Sequence, residues 1–191
     1  FLSEFEEAAI LTADWKGEFE STTMGKGKGN MIEIFQTQEM PNSLGMLYAS
    51  FTELLGYRPD SDEWKVMALS SFDVNYMEVY DKIKSTIQID DSGRLTLDQS
   101  YYQGGYTKMP KLYSEKLVDL LGGNEGKPGE EPTEWHLSIA KAMQHVSEDI
   151  ATALLVKLYD LTKCNNLVLG GGFFMNSVFN GKVTDLSPFK N

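Results

Sequence analysis

The sequence has few of the residues that form disulfides, metal centres and membrane spans. Cys164 is its single cysteine, so no internal disulfide can form, which fits a cytoplasmic protein. It has no C-x-x-C partner, so we predict a buried thiol. No apolar run approaches the roughly 20 residues of a membrane helix, and no signal peptide opens the chain. We therefore predict a cytoplasmic protein without a membrane partner.

Basic residues are also scarce. Lysine and arginine number 17 against 28 aspartate and glutamate residues, for a net charge of -11, and they form no basic stripe. Because binding to nucleic acid independent of sequence needs such a stripe, we predict no nucleic-acid partner. His136 and His145 are too far apart along the chain for a metal site of the i, i+4 kind. We predict that both are structural or surface residues.

The sequence does contain enough apolar material for a core. Its 191 residues are 41% hydrophobic, which suits one large domain or two small ones. Residues 124–132 are the most linker-like stretch, and we predict an exposed loop there rather than a domain boundary. Because the chain opens at Phe1 rather than at a methionine, we expect a fragment of a longer protein.

The N-terminal part of the sequence predicts three antiparallel strands. Residues 8–13 form a near-continuous apolar run, which is typical of a buried strand, and Asp14 stands at its end. A hairpin turn is predicted at 14–17, followed by a threonine-rich strand over 18–24. After a segment rich in glycine and lysine, a third strand is predicted over 31–35.

Helical patterns prevail further along the chain. Ser43 is predicted to cap a helix with apolar residues at helical spacing, which Gly56 ends. A broad apolar face predicts a long helix over 133–162, followed directly by a strand over 166–169. Together these elements predict an α/β fold with a mixed sheet. Shorter elements are a mixed segment at 62–70, a helix grading into a strand over 76–87, a hairpin over 85–97 and a helix over 111–121.

Asp14 is the first candidate for chemistry. An aspartate where a strand ends at a tight turn could ligate a metal or orient a transferred group, and the amides of residues 15–17 could bind an anion. Aspartate in a hairpin turn is more often structural. The residues alone leave both interpretations open.

Two glycine-rich segments could approach a ligand closely. Residues 170–172 are three glycines after a predicted strand, so their backbone could lie against a nucleotide or another phosphate-bearing group. Glycines at this place can also simply turn the chain. Residues 25–30 contain two lysines and could bind phosphates, but they lack the Walker A pattern, and a flexible connection is the favoured interpretation.

Glu63 and Lys65 form a candidate charge pair. They lie two residues apart, so they would share a face of an extended segment but not of a helix. From composition alone, a solvated charge pair is the favoured interpretation.

Several sequence blocks follow one another in a specific order. They are FEEAAILTAD at 5–14, GKGKGN at 25–30, PNSLGMLY at 41–48, EWKVMAL at 63–69, and the glycines at 170–172 with Asn176. In these blocks the chain resembles the NodU/CmcH carbamoyltransferase family, and the match covers nearly its whole length. The resemblance is to the N-terminal carbamoyltransferase domain, which is similar to the tRNA threonylcarbamoyl transferases.

This resemblance implies a fold and an activity. The fold would be α/β and actin/hexokinase-like (ribonuclease H-like), a mixed sheet with flanking helices, incomplete here because residues 1–191 would be the central part of the domain, truncated at both ends. The activity would be O-carbamoyl transfer from carbamoyl phosphate, with ATP. A YrdC-like domain of the parent chain would make carbamoyl-adenylate, and the present domain would pass the carbamoyl group to a hydroxyl of a sugar or natural product.

The resemblance also implies roles for individual residues. Asp14 would be a catalytic residue and a ligand of Fe(II) or another divalent metal, while the catalytic segment from Thr12 to Gly17 would line the carbamoyl and phosphate site. The residues implied for the nucleotide are Glu63 and Lys65 at the ribose and phosphates, and Gly171, Gly172 and Asn176 at the adenosine.

The chain departs from the family pattern in places. The paired metal histidines of the family would lie before Phe1 and its second aspartate ligand after Asn191, so we expect weak metal binding by this chain alone. Trp15, Asn42 and residues 70–72 replace the usual family residues. Two alternatives therefore stay open: a nucleotide-binding or interaction module on the same scaffold without carbamoyl transfer, and a sugar kinase of the same superfamily.

Overall fold

Six strands and seven α-helices are found in the computed structural model, which describes residues 3–103 and 110–191. The strands are β1 (Glu7–Ala13), β2 (Glu20–Lys28), β3 (Met31–Glu39), β4 (Ile87–Ile89), β5 (Leu95–Leu97) and β6 (Leu167–Gly170). The helices are α1 (Leu44–Leu54), α2 (Glu63–Leu69), α3 (Met77–Lys84), α4 (Glu115–Leu121), α5 (Glu134–Thr162), α6 (Ser177–Asn180) and α7 (Val183–Leu186). A 3-10 helix, Gly172–Met175, joins β6 to α6.

The main sheet is mixed and has the order β3-β2-β1-β6. β1 pairs with β2, and β2 with β3, in antiparallel hairpins, whereas β1 and β6 are parallel, with Thr12 opposite Gly170. β4 and β5 form a separate hairpin. The predicted α/β fold with a mixed sheet is therefore confirmed.

The core lies between β1 and the long helix α5. Alternate side chains of a strand point to opposite faces of the sheet. Ala9, Leu11 and Ala13 share one face and are fully buried, while Ile10 and Thr12 on the other face are partly exposed. α5 packs against β1 and β2, and α1, α2 and α3 pack against α5. The flanking helices thus cover one face of β1, the strand that the apolar run at 8–13 predicted to be buried.

The connection predicted at 25–30 is largely strand. β2 begins at Glu20 and continues through Gly25 to Lys28, so the expected flexible connection was wrong. A Cβ on Gly25 would lie 2.6 Å from the carbonyl oxygen of Glu33 on the neighbouring strand, beside a shift in the β2–β3 register. The glycine is therefore explained by the close approach of two strands.

Other element bounds also differ from the prediction. β3 continues to Glu39, because the polar end of this strand is held by side-chain contacts: Gln38 is buried and donates to and accepts from the backbone of Leu95. Residues 63–69 form a helix, and α4 begins at Glu115 rather than at residue 111. No helix in the described part of the chain is long and apolar enough to cross a bilayer.

The histidines and Cys164 lie where the sequence predicted. Cys164 is buried. His145 stacks on the ring of Tyr76, with 4.7 Å between ring centroids. His136 belongs to a capping box at the start of α5, in which its Nδ1 accepts a hydrogen bond from the backbone N–H of Thr133 at 2.9 Å. Burial lowers the pKa of His136 below its usual 6.5.

We expect acid to weaken this helix start. Because the folded-state pKa of His136 is depressed, the unfolded chain takes up the proton first, so stability is lost as the pH falls below about 6.5. The substitution His136→Gln keeps an acceptor at this position without titrating there. Its free energy of unfolding in urea should therefore fall less between about pH 7.5 and about pH 5.5 than that of the wild type. An equal fall in the free energy of unfolding of both proteins would contradict the assignment of this pH dependence to His136.

Candidate functional site

The carboxyl ends of β1 and β6 meet at one edge of the sheet. Since these strands are parallel and in register at Thr12 and Gly170, Asp14 and the glycines after β6 lie side by side. A Cβ placed on Gly172 would lie 3.1 Å from Oδ1 of Asp14. The sheet therefore brings together the first and last of the sequence blocks.

Gly171 makes this close approach possible. Its φ of 94° with ψ of 162° is accessible essentially to glycine alone. A Cβ there would lie 2.2 Å from the carbonyl oxygen of Ala13, far inside contact distance. The turn after β6 thus fits directly against the end of β1.

The first turn of α1 holds the backbone that carries Asp14. The buried hydroxyl of Ser43 lies 2.7 Å from the carbonyl oxygens of both Asp14 and Trp15, to which it donates, and it accepts the N–H of Met46 at 3.1 Å. A Cβ on Gly45 would lie 2.6 Å from Cα of Trp15. The predicted helix cap is confirmed, and it also positions the Asp14 turn.

We expect the substitution Ser43→Ala to lower the free energy of unfolding by about 1–3 kcal/mol, since it removes a helix cap and leaves two carbonyls without this donor. Urea denaturation measures the loss. Ser71→Ala is the matched control, because its exposed hydroxyl bonds only a nearby carbonyl, and it should cost less than about 0.5 kcal/mol. Equal losses for the two variants would show that Ser43 has no special role in holding this turn.

A cavity of about 340 Å³ opens between these elements. Four residues singled out from the sequence line it, and they come from three separate parts of the chain: Asp14, Glu63, and Gly172 with Asn176. Its aromatic lining residues are Trp15, Tyr48, Trp64 and Phe173. The sequence had marked Trp15 only as a departure from the family pattern. Tyr48, Trp64 and Phe173 were missed as lining residues, because nothing local shows that α1 and α2 face the Asp14 turn.

The charge of the cavity is of one sign. Asp14, Asp60 and Glu63 contribute carboxylates, and the described lining contains no lysine or arginine. Carboxylates accept hydrogen bonds from hydroxyl groups, and aromatic faces pack on planar or apolar surfaces. This wall therefore suits the uncharged, hydroxylated part of a ligand, while any phosphate must find its positive charge elsewhere.

Lys65 lies in another place. Its Nζ is 3.1 Å from Asp62, and it lines a separate surface cleft with Arg58. Glu63 and Lys65 diverge because residues 63–69 are helical, and residues two apart on a helix point in different directions.

Thr12 and Gly17 flank the Asp14 turn without lining the described cavity. Thr12 is partly buried near the end of β1. Gly17 is exposed in the link to β2, where a Cβ would meet the carbonyl oxygen of Glu20 at 2.3 Å. The turn at this position therefore depends on glycine.

Polar side chains lie buried behind the cavity. Gln144 and Glu148 sit four residues apart on α5 and are 2% and 5% exposed, respectively. Gln144 contacts Asn176, whose side chain caps α6 by accepting the N–H of Phe179. The signal that could have revealed them is a polar pair interrupting the apolar face of a helix.

The described residues do not form a metal centre by themselves. No group of three or more histidine, cysteine, aspartate or glutamate side chains that could hold a metal ion occurs within 3–103 and 110–191. Asp14 can offer one carboxylate, with Oδ1 already accepting the N–H of Trp15 at 2.8 Å. A catalytic site needs about three protein ligands, so these residues would supply only part of one.

Comparison with known proteins agrees with this arrangement of blocks. The family described as "Carbamoyltransferase N-terminus" matches residues 1–191. An uncharacterized protein of Synechocystis sp., sll1178, is 31% identical over the whole chain, which covers 31% of that protein. The nodulation protein NolNO of Sinorhizobium fredii is 28% identical over the whole chain, covering 26% of that protein. NolO of Bradyrhizobium diazoefficiens is 25% identical over 95% of the chain, covering 30% of that protein.

The chain thus spans about a third or less of the length of these relatives. The match to the family itself extends from the first residue to the last. As the order of the sequence blocks predicted, the chain belongs to the carbamoyltransferase N-terminus family.

Proposed function

We propose that this chain is the central part of an O-carbamoyltransferase domain. The domain passes a carbamoyl group, taken from carbamoyl phosphate through an ATP-derived carbamoyl-adenylate, to a hydroxyl of a sugar or natural product. A YrdC-like domain of the same polypeptide forms the adenylate. The observation that supports this proposal is the convergence of Asp14, Glu63, Gly172 and Asn176 on one cavity.

The scaffold in this proposal is actin/hexokinase-like. The sheet order β3-β2-β1-β6, with two hairpins and one parallel pair, is compatible with that fold. Ligands of α/β sheets commonly bind outside the carboxyl ends of parallel strands, and the cavity lies at that edge.

The adenosine part of the adenylate fits the cavity wall chemically. Trp15 and Trp64 offer faces for a planar base, and the carboxylate of Glu63 can accept hydrogen bonds from ribose hydroxyls. Glycine at 171 and 172 lets the backbone approach without side chains. Lys65 reaches the phosphates in this proposal only by leaving Asp62, because its present cleft is separate.

In this proposal, the acceptor hydroxyl approaches the reacting carbon beside Asp14. In the transfer step the acceptor oxygen bonds to the carbamoyl carbon, and the bond from that carbon to the adenylate phosphate oxygen breaks, so that AMP leaves with the bonding electrons. The acceptor's proton passes to a carboxylate base or to solvent. A carboxylate at the end of β1, fixed by the N–H of Trp15, can orient the acceptor hydroxyl. Asp14 is also proposed as one ligand of a divalent metal such as Fe(II), whose other ligands would come from outside this chain.

The test is carbamoyl transfer by the full-length protein that carries this sequence. With ATP, carbamoyl phosphate and a panel of hydroxylated sugars and natural products, we expect an acceptor to gain the mass of one carbamoyl group. The gain should require both ATP and carbamoyl phosphate. Transfer of phosphate to a sugar without any carbamoyl product would instead establish a sugar kinase and overturn the proposal.

Trp15 favours a second candidate, a nucleotide-binding module without transfer. Its side chain lines the cavity directly after Asp14, at the position where the resemblance implies glycine. Asn42, the other departure, has a structural explanation, since its Oδ1 accepts the N–H of Leu97 at 2.9 Å. Stoichiometric ATP binding by a full-length protein that modifies none of the acceptors would support this second candidate.

A further inference from the structure

A buried hydrogen-bond network connects the cavity wall to a charged residue behind it. Oε1 of Gln144 accepts from the Tyr48 hydroxyl and from Nδ2 of Asn176, both at 3.0 Å. Nε2 of Gln144 donates to Oε1 of Glu148 at 2.9 Å and lies 3.3 Å from Oδ1 of Asn176. Tyr48 and Asn176 line the cavity, and Glu148 does not.

The hydrogen-bonding capacity of Gln144 is fully used. An amide side chain has two donor hydrogens and two acceptor lone pairs, and all four have partners here. The carboxylate of Glu148 accepts Lys182 Nζ at 2.8 and 3.0 Å through its two oxygens, and its Oε2 lies 3.8 Å from Nδ1 of His145. A saturated buried network of this kind has one favourable arrangement of donors and acceptors.

The direction of the bonds that Gln144 makes to Glu148 and Tyr48 follows from the charge of Glu148. An ionised carboxylate only accepts, so the amide nitrogen of Gln144 must face it and the amide oxygen must face the cavity wall. The Tyr48 hydroxyl must then donate its proton to Oε1 of Gln144. The backbone N–H of Phe179, 3.1 Å from Oδ1 of Asn176, independently fixes the Asn176 amide in the matching orientation, with Nδ2 toward Oε1 of Gln144.

We propose that Glu148 is a positioning residue that sets the hydrogen-bonding polarity of the cavity wall, leaving Tyr48 an acceptor and Asn176 a donor for the ligand. The Tyr48 oxygen keeps lone pairs for a ligand donor, and Asn176 keeps one N–H for a ligand acceptor. The matching ligand edge has an N–H or O–H donor beside an acceptor. This inference rests on the proposed function for the identity of the ligand, the adenosine part of the carbamoyl-adenylate.

The protonation state of the Tyr48 hydroxyl agrees with its role as a donor to Gln144. Burial, with the nearby charges of Glu63 and Glu148, raises the pKa of the Tyr48 phenol well above its usual range. The hydroxyl therefore keeps the proton that it donates to Gln144, and its oxygen meets the ligand as a neutral acceptor.

The test uses the substitution Glu148→Gln in the full-length protein. Glutamine has nearly the same shape but can both donate and accept, so the Gln144 amide can turn either way. Lys182 is partly exposed and can be solvated when its partner is lost. Asp149→Asn is the matched control, since it makes the same charge change on the next residue of α5, where the carboxylate is half exposed and contacts Tyr80 and Lys84.

The first readout needs no ligand. In protein labelled with ¹⁵N at asparagine and glutamine, we expect one slowly exchanging set of side-chain amide signals for Gln144 and Asn176 in the wild type and in Asp149→Asn. Glu148→Gln should double or broaden them. Fast exchange of the wild-type Gln144 amide protons, or unchanged signals in Glu148→Gln, would overturn the inference. If the variant does not fold, the exchange rate in the wild type still tests whether the Gln144 amide has one fixed orientation.

The second readout is kinetic. We expect Glu148→Gln to slow carbamoyl transfer to the acceptor about tenfold, and Asp149→Asn to leave it unchanged. Adenylate formation by the YrdC-like domain, followed as pyrophosphate release without acceptor, should change less than about twofold in both variants. An altered amide spectrum with an unchanged rate of carbamoyl transfer would refute the effect on the ligand. If the wild type transfers no carbamoyl group, the proposed function fails, while the amide spectra still decide whether Glu148 sets the polarity.

Discussion

The substitution Gly171→Ala is expected to destabilise the protein by about 3–5 kcal/mol, enough to unfold much of it at ordinary temperature. The backbone conformation at residue 171 is strained for any residue with a Cβ. The added carbon would also lie 2.2 Å from the carbonyl oxygen of Ala13. Because the obstacle is backbone rather than a flexible side chain, relief requires β1 or the turn after β6 to move. Urea denaturation of the purified variant measures the effect.

Gly122→Ala separates the steric effect from the conformational one. Gly122 also has a positive φ, 71°, at the end of α4, but a Cβ there would meet nothing within 4 Å. The substitution Gly122→Ala should lower the free energy of unfolding by only about 1 kcal/mol. Similar losses in the two variants would mean that the turn after β6 does not fit tightly against β1.

Asp14→Asn is expected to reduce kcat for carbamoyl transfer by about 100- to 1,000-fold while leaving the fold intact. Asparagine keeps the size of the side chain and an oxygen that can accept the N–H of Trp15, so the turn should persist. It removes the negative charge that orients the acceptor or binds a metal. Steady-state kinetics with the best acceptor of the panel, beside a thermal melt of the variant, measure both parts of the expectation.

Asp60→Asn is the control for charge alone. Asp60 lines the same cavity, and asparagine tolerates its positive φ of 65°. The kcat of the Asp60→Asn variant should fall less than about tenfold. If both variants lose activity equally, the general negative charge of the cavity matters and Asp14 has no special role.

The sequence predicts elements well where one periodicity covers many residues. The continuous apolar run of β1 and the broad apolar face of α5 predicted both elements closely. Residues 25–28 were wrongly predicted to be part of a flexible connection, because glycine usually indicates a turn. The reason for glycine at position 25 is instead its close contact with Glu33 on the neighbouring strand. Such a reason is nonlocal and cannot be read from the segment itself.

The same distinction applies to the site. That Asp14 follows one strand and the glycines another was visible in the sequence, but that these strands are parallel neighbours is a property of the sheet. The separation of Glu63 from Lys65 followed once residues 63–69 proved helical. Gln144 and Glu148 were overlooked because their partners outside α5 are distant along the chain: Tyr48 and Asn176 for Gln144, and Lys182 for Glu148.

The central claim is that the cavity between Asp14 and Gly172 binds the nucleotide. The test is photolabelling of the full-length protein with 2-azido-ATP and carbamoyl phosphate, from which the YrdC-like domain would form the azido-adenylate. Excess ATP is the competitor, and mass spectrometry locates the labelled residues. The account predicts competed labelling within residues 172–176, on the cavity wall. Competed labelling confined to residues 128–132, which line the separate cleft beside Lys65, would contradict it.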